Sequence, residues 1–279
     1  MELKIFDIFE DLFFKVKSKK PLVHHITNYV TSNDCANMTL AIGASPVMAS
    51  AEEEVEDFVN IADSLVLNIG TINKQVFKSI LIAGEYANKI KIPVIFDPVG
   101  VGASNFRNKI TLEIINKIKL SIIKANISEI KFIAGQKSEP KGVDASVQDN
   151  LNINNTVNLA KNLSKKLDSI IVISGAVDII SDGNKAICIE NGSEFLTRIT
   201  GSGCMCASLI GSFCAVAEKK EYIYAAALAM ICMGVAGEIA YEKSKKYDYG
   251  LGSFHAKLHD AISIIDTKIL KKLAKYHEF

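Results

Sequence analysis

Four stretches of this chain hold residue types that can do chemistry. In Ile199-Thr200-Gly201-Ser202-Gly203-Cys204, two glycines lead into an apolar run of helical length. Such glycines let the backbone turn its N–H groups inward, and a helix N-terminus adds partial positive charge. Gly201, Ser202 and Gly203 are therefore a candidate anion hole for a phosphate or a transferring phosphoryl group. The plainer alternative is a glycine-rich turn with a Ser or Thr helix cap. The segment is neither a Walker A loop, because the lysine is missing, nor a dinucleotide fingerprint after a first strand. Phe96-Asp97-Pro98-Val99-Gly100-Val101-Gly102 ends a hydrophobic run on an aspartate. Asp97 can hold a hydrated Mg²⁺ or orient phosphates there, or Asp97-Pro98 simply ends a strand and begins a turn.

The third stretch is Lys124-Ala125-Asn126-Ile127-Ser128-Glu129. Glu129 can support Mg²⁺ through waters and Lys124 can neutralise nucleotide phosphates. The same residues also read as a capping box, Asn126 capping the next helix and Glu129 closing it from three positions on. The fourth runs from Pro21 to Val30 and resumes at Gly43-Ala44-Ser45-Pro46-Val47-Met48. Asn28 offers a donor and an acceptor to a heteroaromatic ring or a hydroxyl. Met48 is either a soft wall for a sulfur-containing ring or plain core. His24 and His25 suit a turn or packing role better than acid–base work.

Residues so far apart need a scaffold that gathers them. Short β-branched runs recur at Ser64–Asn68, Pro93–Phe96, Leu120–Lys124 and Ser169–Ser174, with helical patterns at Asn73–Lys89, Arg107–Lys117 and 152–167 between them. Strands alternating with crossover helices predict a mostly parallel sheet buried on both faces, which binds ligands beyond its carboxyl edge. Asp178–Ser181, Lys185–Glu190 and Glu194–Arg198, separated by Asp182-Gly183-Asn184 and Asn191-Gly192, predict an antiparallel edge. Helices are expected at Gly203–Ala217, Glu221–Lys245 and Gly252–Tyr276, and residues 136–150 form the longest candidate loop, a lid by its length. The fold class is α/β, one domain over residues 1–279, with helices on both faces of the sheet.

Bulk properties fit an enzyme of this kind. Of 279 residues, 49% are hydrophobic and 23% charged, as in a folded chain. Lys and Arg number 32 against 31 Asp and Glu, so there is no basic excess of the kind that tracks nucleic acid. The apolar runs Gly203–Ala217 and Tyr222–Gly237 are shorter than the roughly 20 residues that span a bilayer, and no membrane partner is expected. Residues 1–20 lack the apolar core of a secretory signal, which points to the cytoplasm. Six cysteines with no CxxC spacing, and a Cys204-x-Cys206 pair with no matching His or Cys nearby, argue against a zinc site or disulfide framework.

In their order along the chain, these stretches resemble the hydroxyethylthiazole kinase family. The matching segments are His25-Ile26-Thr27-Asn28-Tyr29-Val30, Gly43 to Met48, Ala62 to Thr71, Asp97 to Ala103, Asn126 to Ile130, Gly142-Val143-Asp144, and Thr200 to Cys204. The resemblance implies a ribokinase-like fold and Mg²⁺-dependent transfer of the ATP γ-phosphoryl group to 5-(2-hydroxyethyl)-4-methylthiazole. It also implies a homotrimer with active sites between subunits. By position, Asn28, Met48 and Gly201 would contact the thiazole, Lys124 and Ser174 the ATP, and Asp97 and Glu129 the metal. Cys204 would be catalytic, beside the attacking hydroxyl, where ribokinase relatives place Asp. Its place at a helix N-terminus predicts a lowered thiol pKa that would let it accept the proton, although a loose transition state gains little from a base. The family usually has Arg-Gly where this chain has Lys124-Ala125, which keeps the charge, loses the bidentate fork and predicts weaker ATP binding. Rival readings are a pyrimidine or pyridoxal alcohol kinase on the same fold, and a catalytically weak sensor of thiazole or nucleotide.

Overall fold

Runs such as Leu65-Val66-Leu67 and Ile122-Ile123 show no polar alternation, the pattern of strands covered on both faces. The computed structural model describes residues 5–136, 153–248 and 250–279, and it has that arrangement. In chain order the elements are α1 (Ile5–Lys19), β1 (Leu22–Ile26), α2 (Ser32–Ile42), β2 (Ser45–Val47), α3 (Val55–Ile61), β3 (Ser64–Asn68), α4 (Lys74–Ile90) and β4 (Val94–Asp97). There follow α5 (Asn105–Lys117), β5 (Ile122–Asn126), α6 (Ile127–Ile133), α7 (Ile153–Leu167), β6 (Ile170–Ser174), β7 (Asp178–Ser181) and β8 (Ala186–Ile189). The chain closes with α8 (Ser202–Cys214), α9 (Tyr222–Lys246), α10 (Leu251–Ile264), α11 (Thr267–Leu273) and β9 (Tyr276–Glu278).

The sheet order is β2-β1-β3-β4-β5-β6-β7-β8-β9. Pairings from β2 through β6 are parallel, and β7, β8 and β9 add the antiparallel edge. Successive side chains on a strand point to opposite faces, so the sheet builds two cores. Val23, Val66, Ile95, Ile122 and Val172 pack toward α1, α2, α8, α9 and α10. Leu65, Leu67, Val94, Phe96, Ile123 and Ile171 pack toward α3 to α7. The residues Lys219–Lys246 are long and apolar enough to cross a membrane by composition, but 83% of their apolar window is buried inside the molecule. They form a core helix.

Two expected elements differ. Glu194–Arg198 is a 3₁₀ helix, not a strand, started by Ser193, whose hydroxyl accepts from the Phe195 N–H at 3.3 Å. The edge position goes instead to β9, paired with β8. The single helix expected over Gly252–Tyr276 is broken at Ile265, because Asp266 caps a new helix by accepting from the Ile269 N–H at 2.8 Å. Beyond Gln136, the expected lid lies outside the described residues, as does Gly142-Val143-Asp144.

Candidate active site

The same alternation assembles the site. Val66, Ile95 and Ile122 face α8, so Asn68, Asp97 and Lys124, each two positions further along its strand, face it too. The registers Asn68↔Asp97 and Phe96↔Ile123 align these three across neighbouring strands at the carboxyl edge. Cys204, in the first turn of α8, lies over them. Asn68 is the hub: its Nδ2 donates to Asp97 Oδ2 at 2.9 Å and to Cys204 Sγ at 3.2 Å. Its Oδ1 accepts from Asn28 Nδ2 at 3.1 Å and from the Gly70 N–H at 2.8 Å. Asn28 Nδ2 also lies 3.4 Å from Cys204 Sγ, while Asn28 Oδ1 accepts from the Thr31 N–H and hydroxyl, both at 3.0 Å. With its oxygen committed to two donors, the Asn28 amide has one orientation, and its NH₂ points at the thiol.

Gly201 is the N-cap of α8, with φ 84° and ψ 1° and no side-chain cap. The alternative of a Ser or Thr cap is therefore not realised, and the first N–H groups of the helix have no intrahelical partner. A Cβ at Gly201 would lie 2.5 Å from Thr31 Cγ2. A Cβ at Gly203 would lie 2.8 Å from Lys124 Nζ, so the ammonium sits against the first turn of α8. Exposed N–H groups beside a fixed cation make a site for phosphate oxygens.

Burial dominates the electrostatics. Lys124 is 5% exposed, Asp97 2% and Glu129 6%. Desolvation disfavours the Lys124 ammonium, but the neighbouring negative charge, Asp97 foremost, outweighs it and holds the pKa above the ordinary value. Asp97 is pushed up by burial against the opposing pull of Lys124 and the Asn68 hydrogen bond. Glu129 is pushed up to about 7, first by burial and then by Asp97. The capping box at Asn126 is present: Glu129 Oε2 accepts from the Asn126 N–H at 2.9 Å, and Oε1 from the Gly100 N–H at 2.8 Å. Two buried carboxylates that repel one another form a hard-oxygen donor set, which suits a hydrated divalent cation. With both Glu129 oxygens engaged by backbone, Asp97 is the carboxylate better placed for direct coordination.

The Cys204 thiol runs against expectation. Its pKa is raised, by burial and by Asp97, more than Lys124 and its hydrogen bonds lower it. The helix N-terminus does not make it a thiolate, and it serves as a neutral acceptor for Asn28 and Asn68.

Other expected residues fall around this centre. Ser174 ends β6 in register with Asn126, its hydroxyl 3.5 Å from the Ala125 carbonyl. Met48 follows β2 and is half-buried. His24 and His25 are buried and structural, bonded to the Ala49 carbonyl at 2.8 Å and the Ser208 hydroxyl at 3.1 Å. Burial pushes His25 down to about 4. Three contributors went unassigned in the sequence: Asn68, Thr31 and Arg107. The Arg107 guanidinium donates to the carbonyls of Ile69, Val99 (2.6 Å) and Gly70 (2.7 Å), tying together the loops after β3 and β4. For Asn68 a signal existed, since it ends a buried run as Asp97 does.

Comparison with known proteins identifies the family. The sequence profile of the Hydroxyethylthiazole kinase family matches residues 13–268. The chain is 48% identical over 268 residues to a hydroxyethylthiazole kinase of Clostridium beijerinckii, covering 96% of each. It is 50% identical over 264 residues to one of Alkaliphilus oremlandii, covering 95% of each. The solved structure of a Pyrococcus horikoshii hydroxyethylthiazole kinase superposes with a TM-score of 0.87 at 37% identity, over 98% of this chain and 99% of that one. A ribokinase-like superfamily protein of Enterococcus faecalis, at 15% identity and a TM-score of 0.61 over 97% of this chain and 95% of that one, shares the fold. The profile and the full-length relatives agree: the chain belongs to the hydroxyethylthiazole kinase family.

Proposed function

We propose that this chain transfers the γ-phosphoryl group of ATP to the primary hydroxyl of 5-(2-hydroxyethyl)-4-methylthiazole, a salvage step toward thiamine. The observation that carries the reading is the Asn28–Asn68–Cys204–Asp97 network, closed on one side by Lys124 and the open first turn of α8. In the reaction the hydroxyl oxygen bonds to the γ-phosphorus, the bond from that phosphorus to the β,γ-bridging oxygen breaks, and ADP leaves. The hydroxyl proton departs late, to the transferred phosphoryl oxygens or to solvent, because the transition state is loose. Lys124 and the N–H groups of Gly201, Ser202, Gly203 and Cys204 stabilise the transferring charge, and Ser174 adds a contact to the nucleotide. Asn28, Met48 and Gly201 orient the thiazole, and the thiol of Cys204 lies beside the attacking oxygen. Mg²⁺ held by Asp97, with Glu129 supporting through water, would neutralise the phosphates.

The working unit in this reading is a homotrimer of single-domain subunits, with sites between subunits. Its support is apolar surface beside the site: Tyr29 is 82% exposed and Val30 55%, directly after Asn28. The compartment is the cytoplasm, which supplies ATP and keeps the six free cysteines reduced.

The test is ADP release with Mg-ATP and the hydroxyethyl thiazole, beside hydroxymethylpyrimidine, pyridoxal and no acceptor. Turnover confined to the thiazole is the expected result. Turnover with another alcohol would keep the phosphate site and overturn the roles of Asn28 and Met48. Binding without turnover would make the chain a sensor.

A further inference from the structure

Asp34 lies in the first turn of α2, and His255 and His259 lie one helical turn apart on α10, which packs against α2. Their candidate ligand atoms all fall within 4.8 Å of one another. His255 Nε2 is 3.2 Å from Asp34 Oδ1, and the two imidazole rings meet edge to face with centroids 5.0 Å apart. The Nε2–Oδ1 contact accounts for Asp34 and His255. It does not account for His259. That ring's Nδ1 is 3.1 Å from the His255 carbonyl oxygen, and since a carbonyl only accepts, Nδ1 carries the proton. The remaining nitrogen, Nε2, is buried with no hydrogen-bond partner. A buried polar atom without a partner is destabilising. A histidine whose other nitrogen is fixed by a carbonyl is the usual arrangement of a metal ligand.

We propose that Asp34, His255 and His259 bind a divalent transition metal of the zinc class, with solvent completing the coordination. Two imidazoles and one carboxylate suit zinc and its neighbours and discriminate against Mg²⁺. Ligand atoms around tetrahedral zinc, at bonds of about 2.0–2.1 Å, stand roughly 3.3 Å apart. Asp34 and His255 already have that spacing, and the set, with its ligand atoms within 4.8 Å, needs only a modest closing on the ion. The ion would pin α10 to the first turn of α2. That turn directly follows Thr31, which orients Asn28 and packs on Gly201. The metal thus braces one wall of the substrate site from outside.

The test uses the full-length protein, stripped by chelator and titrated with Zn²⁺ in saturating Mg²⁺, so that the hard-oxygen site is blocked. Calorimetry should give one Zn²⁺ per chain, with a rise in Tm. His259→Ala and Asp34→Asn, each shown folded by circular dichroism, should weaken binding at least about tenfold and abolish the rise in Tm. Co²⁺ should give a ligand-field spectrum without thiolate charge transfer, which separates this site from Cys204. Absence of binding at micromolar Zn²⁺, binding unchanged in both variants, or a thiolate signature would each overturn the proposal.

Discussion

Replacing Gly201 by Ala tests the coupling between α2 and α8 that the geometry requires. Two penalties can be separated. At φ 84° an alanine pays the left-handed penalty, about 1–2 kcal/mol. Its Cβ would also stand 2.5 Å from Thr31 Cγ2, where an ordinary carbon contact is about 3.5–4.0 Å, so the methyl must retreat by about 1 Å. Thr31 is buried, and overpacking at such a place costs about 1–3 kcal/mol. The expected loss of stability is therefore about 2–5 kcal/mol. Activity should fall too, because Thr31 holds Asn28 Oδ1 with two 3.0 Å bonds, and a shift of about 1 Å takes them out of range. A misplacement of that size lowers kcat/KM by about 10²-fold. Thr31→Ser removes the clashing methyl and keeps the hydroxyl. Urea unfolding and kcat/KM for the thiazole, on both single variants and the double variant, complete a cycle. The double variant should recover about 1–3 kcal/mol, the clash term, and leave the backbone term. Additivity within about 0.5 kcal/mol would refute the coupling.

Three further outcomes follow. Cys204→Ala should lower kcat by less than about 10²-fold, below the range of a lost general base, because the thiol is protonated in the folded chain; complete loss in a folded variant would make it an obligatory base. Lys124→Met leaves Asp97 and Glu129 buried without their cation and should cost about 3–5 kcal/mol in urea unfolding at pH 8. The loss should shrink at pH 6, where Glu129, raised to about 7, takes up a proton; an equal loss at both values would contradict the charge argument. Glu129 sits at about 7 in the folded chain against an ordinary 4.5, so its contribution to stability is full below pH 4.5 and is lost as pH rises through 7. A drop of up to about 3 kcal/mol across that window is expected without ligands. Glu129→Gln should flatten that slope in part, since Asp178, also raised to about 7 by burial, keeps the same sign; an unchanged slope would exclude Glu129 as its source.

The legible part of this protein is what its strands announce. Unbroken runs such as Ser64–Asn68 point to the parallel sheet, and the rule that ligands gather at the carboxyl edge points to Asp97 and Lys124, which lie on neighbouring strands at that edge. Asn68 obeys the same rule, but an asparagine ending a strand also reads as a turn residue, and its role as hub became visible only through its four partners. Thr31 carried no signal, because its significance is a contact with Gly201 across most of the chain. The expected lowering of the Cys204 pKa is not realised, for a related reason: position at a helix N-terminus is local, while the burial and Asp97 charge that raise it come from the sheet beneath. At the edge, Glu194–Arg198 satisfied strand composition, but pairing is a competition, and β9 from the C-terminus took the place beside β8. The helix break at Asp266 was readable as an N-cap and was outweighed by the apolar periodicity around it.

The central claim is that the row Asn68–Asp97–Lys124 beneath Cys204 carries phosphoryl transfer to a thiazole alcohol. The most direct measurement is product analysis by mass spectrometry after incubation with Mg-ATP and the hydroxyethyl thiazole, for the wild-type chain and for Asp97→Asn, whose amide keeps the shape and can still accept from Asn68. The account predicts one thiazole phosphate per ATP consumed, and a fall of about 10²-fold or more in the folded variant, as when a stabilising group in such a site is removed. ATP consumed without thiazole phosphate, or a variant that turns over at the wild-type rate, would contradict it.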